Sequence, residues 1–288
     1  MSRISSDGTG PPSPQGPNLR LLTVGDNVVD QYPQHELMYP GGNTVNVAVH
    51  ASRLGAHAAY LGVLGTDRAG TAVLGALEEE GVDTTWTRQV EGRNARAVVE
   101  VVDGNRVFLD GEIGVSDFRL TEPDLELAGT FDLVHTGECS RLEDQVSALG
   151  SASKRLSFDF SERPWDYVQE YAGLVSIAVC SAPLADLGLA RERAERLRGL
   201  GPDLAVVTLG PGGALALQEE LVHRPAPDGP IVDTLGAGDA FIASLLVGLV
   251  RGHDLGTVLE AATAYATASC ATLGAFGHAV SLTPDTTR

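Results

Sequence analysis

Lysine is almost absent from this chain, because Lys154 is the only one among 288 residues. It does not follow the Gly-x-x-x-x-Gly pattern whose lysine reaches the phosphates of a bound nucleotide in P-loop enzymes. It also does not stand in the Val-Ala-Ile-Lys strand that protein kinases use to hold the nucleotide. The sequence therefore excludes the P-loop enzymes and the protein kinases.

Positive charge in general is scarce. The chain has 20 lysine and arginine residues against 38 aspartate and glutamate residues, which gives a formal net charge of −18 at pH 7. Binding to nucleic acids and to anionic membranes depends largely on attraction between basic side chains and phosphates. We therefore expect neither a nucleic acid nor a membrane as a partner.

Cysteines and long apolar segments are also few. Cys139, Cys180 and Cys270 lack the spacing of metal ligands and the even number of a disulfide framework. We expect them to be buried thiols in a reducing compartment. The chain contains no secretory signal pattern and no apolar run of about eighteen residues, the length that spans a membrane. The sequence therefore predicts a cytoplasmic protein.

The start of the chain differs in composition from the rest. Residues 1–17 are rich in glycine, proline and serine and contain little apolar surface to bury. Segments of this kind remain disordered because burial cannot offset their conformational entropy. We predict a disordered tail at residues 1–18 and one domain at residues 19–288.

Strand-like and helix-like patterns alternate through that domain. This order is typical of β-α-β units, which build a mostly parallel sheet with helices on both faces. The predicted strands are Leu21–Val24, Ala58–Leu64, Leu133–His135, Leu156–Phe160, Val175–Cys180 and Leu204–Leu209. The predicted helices are one from Asn43 or Thr44 to about Leu54, and Ala69–Glu80, Ala237–Val250 and Leu255–Leu273. The fold class is therefore α/β.

One segment interrupts the alternation. The β-rich runs Ala95–Val102 and Arg106–Asp110 are joined by Asp103-Gly104-Asn105, and Asp-Gly favours a tight hairpin turn. A hairpin cannot join a parallel sheet, so we predict a small flap with strands near residues 30–40 and 95–112. It is either a lid over a site or a decorative hairpin.

The run Asp233-Thr234-Leu235-Gly236-Ala237-Gly238-Asp239 precedes the last apolar helix. Small residues at a helix start let backbone N–H groups and the helix dipole hold a developing anion. A carboxylate in that place, Asp239, would repel a bound phosphate unless it removes a proton from an attacking hydroxyl. The alternative is an acidic helix cap after a flexible turn.

Two further polar motifs follow strand-like segments. In Gly41-Gly42-Asn43-Thr44-Val45-Asn46, the two asparagines share one helix face and, with Asp30, can orient a polyol. The alternative is that Asn43 is a helix N-cap and Asn46 a surface residue. The second motif, Thr208-Leu209-Gly210-Pro211-Gly212-Gly213, ends a strand where ligands of open α/β sheets bind, although such a turn alone is a weak signal.

These motifs, in this order, resemble the ribokinase-like carbohydrate kinases of the phosphofructokinase B family over roughly residues 21–281. The resemblance implies a central sheet with a β lid, and an ATP- and Mg²⁺-dependent sugar kinase, a phosphotransferase with an alcohol acceptor. It implies Asp239 as the catalytic base and the backbone of Gly236, Ala237 and Gly238 as the anion hole. The implied substrate contacts are Asp26, Asp30, Gly41, Gly42, Asn43, Asn46 and Glu138. The implied nucleotide contacts are Ser181, Thr208, Gly210, Gly212, Gly213 and Gly274, with the loop Leu273–His278 lining the adenine pocket. Asp233 matches a residue that helps to bind a monovalent cation such as K⁺.

Within this family the sequence most resembles the fructoselysine 6-kinases. The segments that carry this resemblance are Gly25–Pro33, Gly41–Val49, Asn105–Phe108, Phe158–Ser161 and Ser181–Pro183. It implies phosphorylation of the terminal 6-hydroxyl of a fructosamine, a ketose joined to an amino acid through its amine. Asp26, Asp110 and Glu112 are candidates to receive the charge of that amine.

Other functions stay open at this point. One is a kinase of the same family for another sugar or a nucleoside, and another is a sensor that binds ligands without turnover. The chain has Ser181-Ala182-Pro183-Leu184 where many members carry Asn-x-x-Glu, which removes a carboxylate associated with Mg²⁺, and Asp186 is a candidate substitute. The exposed edge of the flap suggests a homodimer through the lid.

Overall fold

A computed structural model describes residues 19–102, 105–182 and 186–282. The expected tail at residues 1–18 and the turn residues 103 and 104 lie outside the described residues. The strands are β1 (Arg20–Val24), β2 (Val28–Tyr32), β3 (Leu37–Gly41), β4 (His57–Leu61), β5 (Val63–Gly65), β6 (Arg88–Val90), β7 (Arg96–Val102), β8 (Asn105–Glu112), β9 (Leu133–Gly137), β10 (Leu156–Asp159), β11 (Ile177–Ser181), β12 (Leu204–Thr208), β13 (Ala214–Leu217), β14 (Leu221–Arg224) and β15 (Val280–Ser281). The helices are α1 (Asn43–Arg53), α2 (Arg68–Glu79), α3 (Glu122–Ala128), α4 (Val146–Ala152), α5 (Trp165–Tyr171), α6 (Leu187–Gly199), α7 (Ala237–Val250) and α8 (Leu255–Ser269).

The main sheet has the strand order β14-β13-β12-β11-β10-β9-β1-β4. Neighbouring strands from β4 to β12 are parallel, whereas β13 and β14 extend one edge as an antiparallel hairpin. Parallel neighbours need crossover connections, which helices supply. The prediction of a mostly parallel α/β sheet is confirmed.

Side chains of the main-sheet strands alternate between two apolar layers. On β12, Leu204 and Val206 belong to the apolar cluster that contains residues of α1, α7 and α8, whereas Ala205 and Val207 belong to the cluster that contains residues of α4, α5 and α6. Successive side chains of a strand point to opposite faces, so a strand covered on both sides is apolar throughout. Helices therefore cover both faces of the sheet.

A second sheet has the strand order β15-β3-β2-β7-β8. The hairpin β7–β8 pairs through β7 with β2, and β2 pairs in turn with β3. None of these strands pairs with the main sheet among the described residues. The expectation that a hairpin cannot join a parallel sheet does not hold in general, because the hairpin β13–β14 does extend an edge of the main sheet. The expected flap is nevertheless a small β-sheet of its own.

One predicted strand is divided in two. The hydrophobic pattern predicts a single strand over Ala58–Leu64, but β4 ends at Leu61 and β5 starts at Val63. A Cβ atom on Gly62 would be 2.0 Å from the Tyr60 hydroxyl, so only glycine fits at the break. This close packing between residues two apart is not visible in the hydrophobic pattern.

The predicted end of the last helix is also wrong. α8 ends at Ser269 and not at Leu273. The Cys270 carbonyl accepts hydrogen bonds from the N–H groups of Val232 and Asp233, at 2.8 and 3.0 Å. This tertiary pairing takes the place of a further helical turn.

The cysteines differ from the expectation in one case. Cys180 and Cys270 are buried, whereas Cys139 is exposed, because it belongs to a short turn after β9 and not to the sheet. No helix in the described ranges combines the length and the apolar character that crossing a membrane requires.

Candidate active site

A cavity of about 560 Å³, the first cavity, lies where the carboxyl ends of the main-sheet strands face the second sheet. Both sides contribute charged side chains: Glu138 after β9 and Asp159 at the end of β10, and Asp30 on β2, Arg96 on β7 and Glu112 on β8. Ligands of open α/β sheets bind outside the carboxyl ends of the strands. The first cavity is therefore a candidate ligand site.

Asp239 lines the first cavity from the first turn of α7. One of its oxygens accepts a hydrogen bond from Asn43 Nδ2 at 2.7 Å, and the other accepts one from Asn46 Nδ2 at 2.6 Å. Burial raises the pKa of Asp239 well above its ordinary value, and these two hydrogen bonds oppose the shift. A carboxylate whose pKa is raised, and which two amide donors hold in place, is suited to act as a general base near neutral pH.

The Asn43 amide connects Asp239 to a second carboxylate. Its Nδ2 also donates to Asp159 Oδ2 at 3.0 Å, so both of its N–H groups are used. Asn43 Oδ1 can only accept, so His135 Nε2, at 3.2 Å, must donate to it. His135 Nδ1 then accepts from Ser157 Oγ at 3.2 Å. Burial lowers the pKa of His135 to about 3, which keeps the ring neutral and this arrangement of protons fixed.

Three carboxylates of this site lack a basic partner. Within the described parts of the chain, no arginine, lysine or histidine forms an ion pair with Asp26, Asp159 or Asp239. Burial, followed by the nearby charges of Glu138 and Asp26, raises the pKa of Asp159 to about 7. Burial also raises the pKa of Asp26. These three carboxylates therefore have no basic side chain paired with them, although Arg96 and Arg141 line the first cavity elsewhere.

Asp26 holds the start of α1. Its carboxylate accepts hydrogen bonds from the N–H groups of Asn43 at 2.8 Å and Thr44 at 3.4 Å, and from the Ser140 hydroxyl at 2.9 Å. The N-cap position is occupied by Gly42, so the alternative in which Asn43 caps the helix is wrong. Asp26 lines the cavity, but three of its four acceptor positions serve the start of α1 and the Ser140 hydroxyl, which leaves one position on Oδ2.

The other acidic residues considered for the amine are paired with arginines. Glu112 and Asp110 lie 3.0 and 3.4 Å from nitrogens of Arg96. Glu138, a predicted substrate contact, lines the cavity and makes a 2.8 Å ion pair with Arg163. The charges of these carboxylates are thus already balanced by the protein.

Asp30 and the glycines before α1 form another wall of the first cavity. Asp30 is buried, and a Cβ on Gly41 would be 2.9 Å from its carboxylate. Gly42 has a φ of +110°, and a Cβ there would be 2.7 Å from Asn27 Cα. Both positions need glycine because the backbone approaches these neighbours closely. Asp30 and Gly42 line the cavity and Gly41 lies against Asp30.

Asn46 brings an unused acceptor to the first cavity. Its side chain is only 4% exposed, and its Oδ1 has no hydrogen-bond partner in the described residues. A buried carbonyl oxygen without a donor is unfavourable by about 1–3 kcal/mol. A hydroxyl or amine of a ligand would satisfy it. Of the two asparagines predicted to contact a sugar, Asn46 therefore has an available atom, whereas the hydrogens of Asn43 are used within the protein.

The first turn of α7 lies between the first cavity and a second cavity of about 720 Å³. Asp239 lines the first cavity, whereas Ala237 and Gly238 line the second. The N–H groups of Gly238 and Asp239 have no acceptor among the described residues. Gly236, with a φ of +73°, starts the helix where a Cβ would be 2.5 Å from Ala275 Cβ. Free N–H groups at a helix start form an anion site.

The second cavity follows the ends of two main-sheet strands. It is lined by Ser181 and Thr208, whose hydroxyl oxygens are 3.0 Å apart, and by the turn residues Gly210 and Gly213. Gly210 has space around its Cα, since a Cβ there would meet no atom within 4 Å. Gly212 belongs to the same turn but does not line the second cavity in the described structure.

The Leu273–His278 loop, predicted to line an adenine pocket, does not line the second cavity in the described structure. The N–H of Gly274, a predicted nucleotide contact, donates to Asp233 at 3.0 Å, and a Cβ there would be 2.5 Å from the Tyr39 ring. The loop thus packs against β3 of the second sheet. The apolar lining of the second cavity comes instead from Pro227, Ile231, Phe241, Ala266 and Cys270.

Asp233, the predicted cation ligand, is buried and connects two loops through hydrogen bonds. One carboxylate oxygen accepts from the Leu235 N–H and the other from the Gly274 N–H, both at 3.0 Å. These bonds hold the segment before α7 against the loop that contacts Gly236. The role as a cation ligand stays a prediction.

Asp186, the candidate substitute for the missing carboxylate, caps α6. It accepts from the N–H groups of Gly188 and Leu189 at 2.8 and 3.1 Å. Pro183 and Leu184 of the departing motif lie outside the described residues. Glu162 is an acidic residue that does line the second cavity.

Two residues of the site were not found from the sequence. Asp159 lies one residue before the end of the predicted strand Leu156–Phe160 and ends the observed strand β10, so the rule that ligands bind at carboxyl ends was sufficient to find it. His135 is the one titratable residue of an otherwise apolar strand core, but its contact with Asn43 depends on tertiary structure.

Residues 19–278 match the model of the pfkB family carbohydrate kinases. With the main sheet, the second sheet and the Gly-Ala-Gly-Asp helix start in place, the chain belongs to this family. It is a sugar kinase, a phosphotransferase with an alcohol group as acceptor.

Curated relatives cover almost the whole domain. The chain is 37% identical over 267 residues to fructosamine kinase FrlD of Bacillus subtilis (strain 168), with 90% of this chain and 94% of the relative covered. It is 37% identical over 250 residues to fructoselysine 6-kinase of Escherichia coli (strain K12), covering 85% and 95%. A solved structure of aminoimidazole riboside kinase from Salmonella enterica, complexed with aminoimidazole riboside and an ATP analog, aligns with a TM-score of 0.73 and 26% identity, covering 92% and 96%.

Proposed function

We propose that this chain transfers the γ-phosphoryl group of ATP to the 6-hydroxyl of a fructosamine such as fructoselysine. The observation that carries the proposal is the division of the first turn of α7 between two cavities. Asp239 faces one cavity as a base, and the N–H groups next to it are available to an anion. An alcohol and a phosphate donor would therefore meet at this turn.

The acidity of the first cavity supports a cationic sugar. Asp26, Asp159 and Asp239 have no ion-pair partner among the described residues, so a neutral sugar leaves their charge uncompensated. A fructosamine carries a secondary ammonium, whose attraction to this site a neutral ketose lacks. The names of the 37% identical relatives point to the same substrate class.

The second cavity is the proposed ATP site. Its volume of about 720 Å³ and its apolar lining suit a nucleotide base, and it reaches the α7 turn through Ala237 and Gly238. The carboxylates of Glu162 and Asp228 line it and offer the hard oxygen ligands that Mg²⁺ prefers beside phosphates. Bound Mg²⁺ would neutralise charge on the transferring phosphoryl group.

In the proposed reaction, the 6-hydroxyl attacks the γ-phosphorus in line as Asp239 takes its proton. The amides of Asn43 and Asn46 hold the carboxylate at 2.7 and 2.6 Å and keep its oxygens aimed at the cavity. The N–H groups of Gly238 and Asp239 stabilise the developing negative charge. The second sheet, as a lid, excludes water from the site.

The base is tested by Asp239→Asn. Because a general base contributes about 10²- to 10⁴-fold, we expect kcat to fall by that factor, with the Kd for ATP nearly unchanged. Turnover within about tenfold of the parent would contradict the assignment of the base. The Asp186→Asn variant, which changes a carboxylate that only caps α6, is the matched control.

The substrate class is tested by product mass with Mg-ATP and a panel of fructoselysine, another fructosamine, fructose, ribose and adenosine. A gain of one phosphoryl group on the fructosamines supports the proposal. A gain of one phosphoryl group only on another sugar or on adenosine would support a kinase but reject a fructosamine as its substrate. ATP binding without turnover on any compound would favour the sensor.

A further inference from the structure

One carboxylate of the first cavity has no part in the proposed reaction. The others already have protein partners or a role: Asp239 is the base, and Asp26, Asp30, Glu112 and Glu138 hold the backbone, the cavity wall or arginines. Asp159 lines the cavity without a basic partner among the described residues. A partly buried charge of this kind is unfavourable unless a ligand compensates it.

Asp159 is held in place but not saturated. Its Oδ1 accepts from the Ser161 N–H at 2.8 Å, and its Oδ2 accepts from Asn43 Nδ2 at 3.0 Å. Each carboxylate oxygen can accept a second hydrogen bond, so two acceptor positions remain. Burial raises the pKa of Asp159 to about 7, and the nearby charge of Glu138 adds to this shift, so the ionised form is unfavourable without a cation beside it.

Asp159 is also close to the proposed base. Both carboxylates accept from the same Asn43 nitrogen, so these oxygens can be no further apart than two hydrogen bonds laid end to end. The two carboxylates are therefore close enough for one sugar to contact both, through its amine and its 6-hydroxyl. The unpartnered Asn46 Oδ1 in the same cavity independently indicates a ligand that donates hydrogen bonds.

We propose that Asp159 is the specificity-determining residue that receives the ammonium group of the substrate. The inference rests on the proposed function, since it takes a fructosamine as the substrate. It goes further by assigning the selection of fructosamines over neutral ketoses to one side chain. The ammonium donates its hydrogens to the free acceptor positions of Asp159 while the 6-hydroxyl lies at Asp239.

The test compares 1-methylamino-1-deoxyfructose, which has the ammonium and no amino acid, with fructose. For Asp159→Asn we expect kcat/KM for the amino sugar to fall by about ten- to a hundredfold, mainly through KM. Turnover of fructose should stay within about threefold of the parent. Glu112→Gln is the matched control, because it removes an acidic charge from the same cavity that is already paired with Arg96.

An equal loss on both sugars would overturn the inference, because Asp159 would then act only by positioning Asn43. An unchanged preference for the amino sugar would overturn it as well. The parent enzyme separates the two proposals: its turnover of the amino sugar tests the proposed function, and only the variant's preference tests the role of Asp159. Fructosamine turnover by the parent with no change of preference in Asp159→Asn therefore rejects this inference alone.

A binding measurement on the parent protein keeps the test independent of how the variant folds. At pH 7 an ammonium group that binds Asp159 should release protons, because burial raises the pKa of this carboxyl and the bound cation favours its ionised form. Calorimetry in buffers of different ionisation enthalpy measures this release. Fructose should release less, and equal release by both sugars would contradict the inference.

Discussion

Replacing His135 tests the hydrogen-bond chain behind the proposed base without touching the substrate. The ring is fully buried, and its Nε2 donates to Asn43 Oδ1. His135→Leu removes this donor, so the Asn43 amide is no longer fixed with its nitrogen toward Asp239 and Asp159. If the amide rotates, its oxygen faces two carboxylates, which disfavours their ionised forms.

The expected size follows from the contacts that are lost. A hydrogen bond to a charged group contributes about 1.5–3 kcal/mol, and one pKa unit corresponds to about 1.36 kcal/mol. Loss of the 2.7 Å bond from Asn43 would therefore raise the pKa of Asp239 by about one to two units. The acidic limb of the kcat/KM profile should move to higher pH by this amount.

His135→Gln is the control, because glutamine keeps one donor for Asn43 and one acceptor for Ser157. The assay is kcat/KM against pH for parent and both variants, with ATP binding as evidence of folding. The acidic limb of the glutamine variant should stay near that of the parent. The reasoning is refuted if the leucine variant keeps the parental limb while folded, or if both variants shift equally.

Two further predictions concern Gly238 at the start of α7 and Asp159 at the end of β10. In Gly238→Ala, the added methyl meets no protein atom within 4 Å and lies at the second cavity. We expect this variant to have slightly higher thermal stability and an about tenfold higher KM for ATP. The control is Gly75→Ala in α2, where the methyl also has free space, and it should change thermal stability alone. An unchanged KM for ATP would contradict the proposal that Gly238 belongs to the phosphate site. In the folded protein burial raises the pKa of Asp159 from its ordinary value of 3.8 to about 7. The free energy of unfolding is therefore unaffected by this group below about pH 4, where the carboxyl is protonated in both states, and decreases as the pH rises from there through 7. Asp159→Asn should therefore gain stability over the parent across this window, by at most about 4 kcal/mol, and a urea-unfolding difference independent of pH would contradict the shift.

The fold was largely predictable because its signals are local. A strand covered on both faces is apolar along almost all of its length, as residues 204–207 of β12 are, and an Asp-Gly pair between two β-rich runs predicts a hairpin. The errors lie where distant residues meet. The break at Gly62 depends on the Tyr60 hydroxyl, and the end of α8 depends on N–H groups from Val232 and Asp233.

The residues of the candidate site were predictable from the sequence, but their hydrogen-bond partners were not. The helix periodicity places Asn43 and Asn46 on one face, which the structure shows. Whether these amides face a ligand or a carboxylate depends on α7, and Asp239 is 196 positions from Asn43 in the chain. Gly274 was placed at the adenine pocket from the resemblance, whereas its packing on Tyr39 sets it against the second sheet.

The convergence of α1 and α7 explains how the site tolerates its acidity. The first turns of the two helices meet at Asp239, so the positive ends of both dipoles oppose the repulsion among the carboxylates. The amides of Asn43 and Asn46 add neutral donors, which stabilise the charge without cancelling it as an arginine would. An arginine at this point would lower the pKa of Asp239 and compete with an ammonium ligand. Neutral donors therefore leave the base able to accept a proton and keep the cavity attractive to a cation.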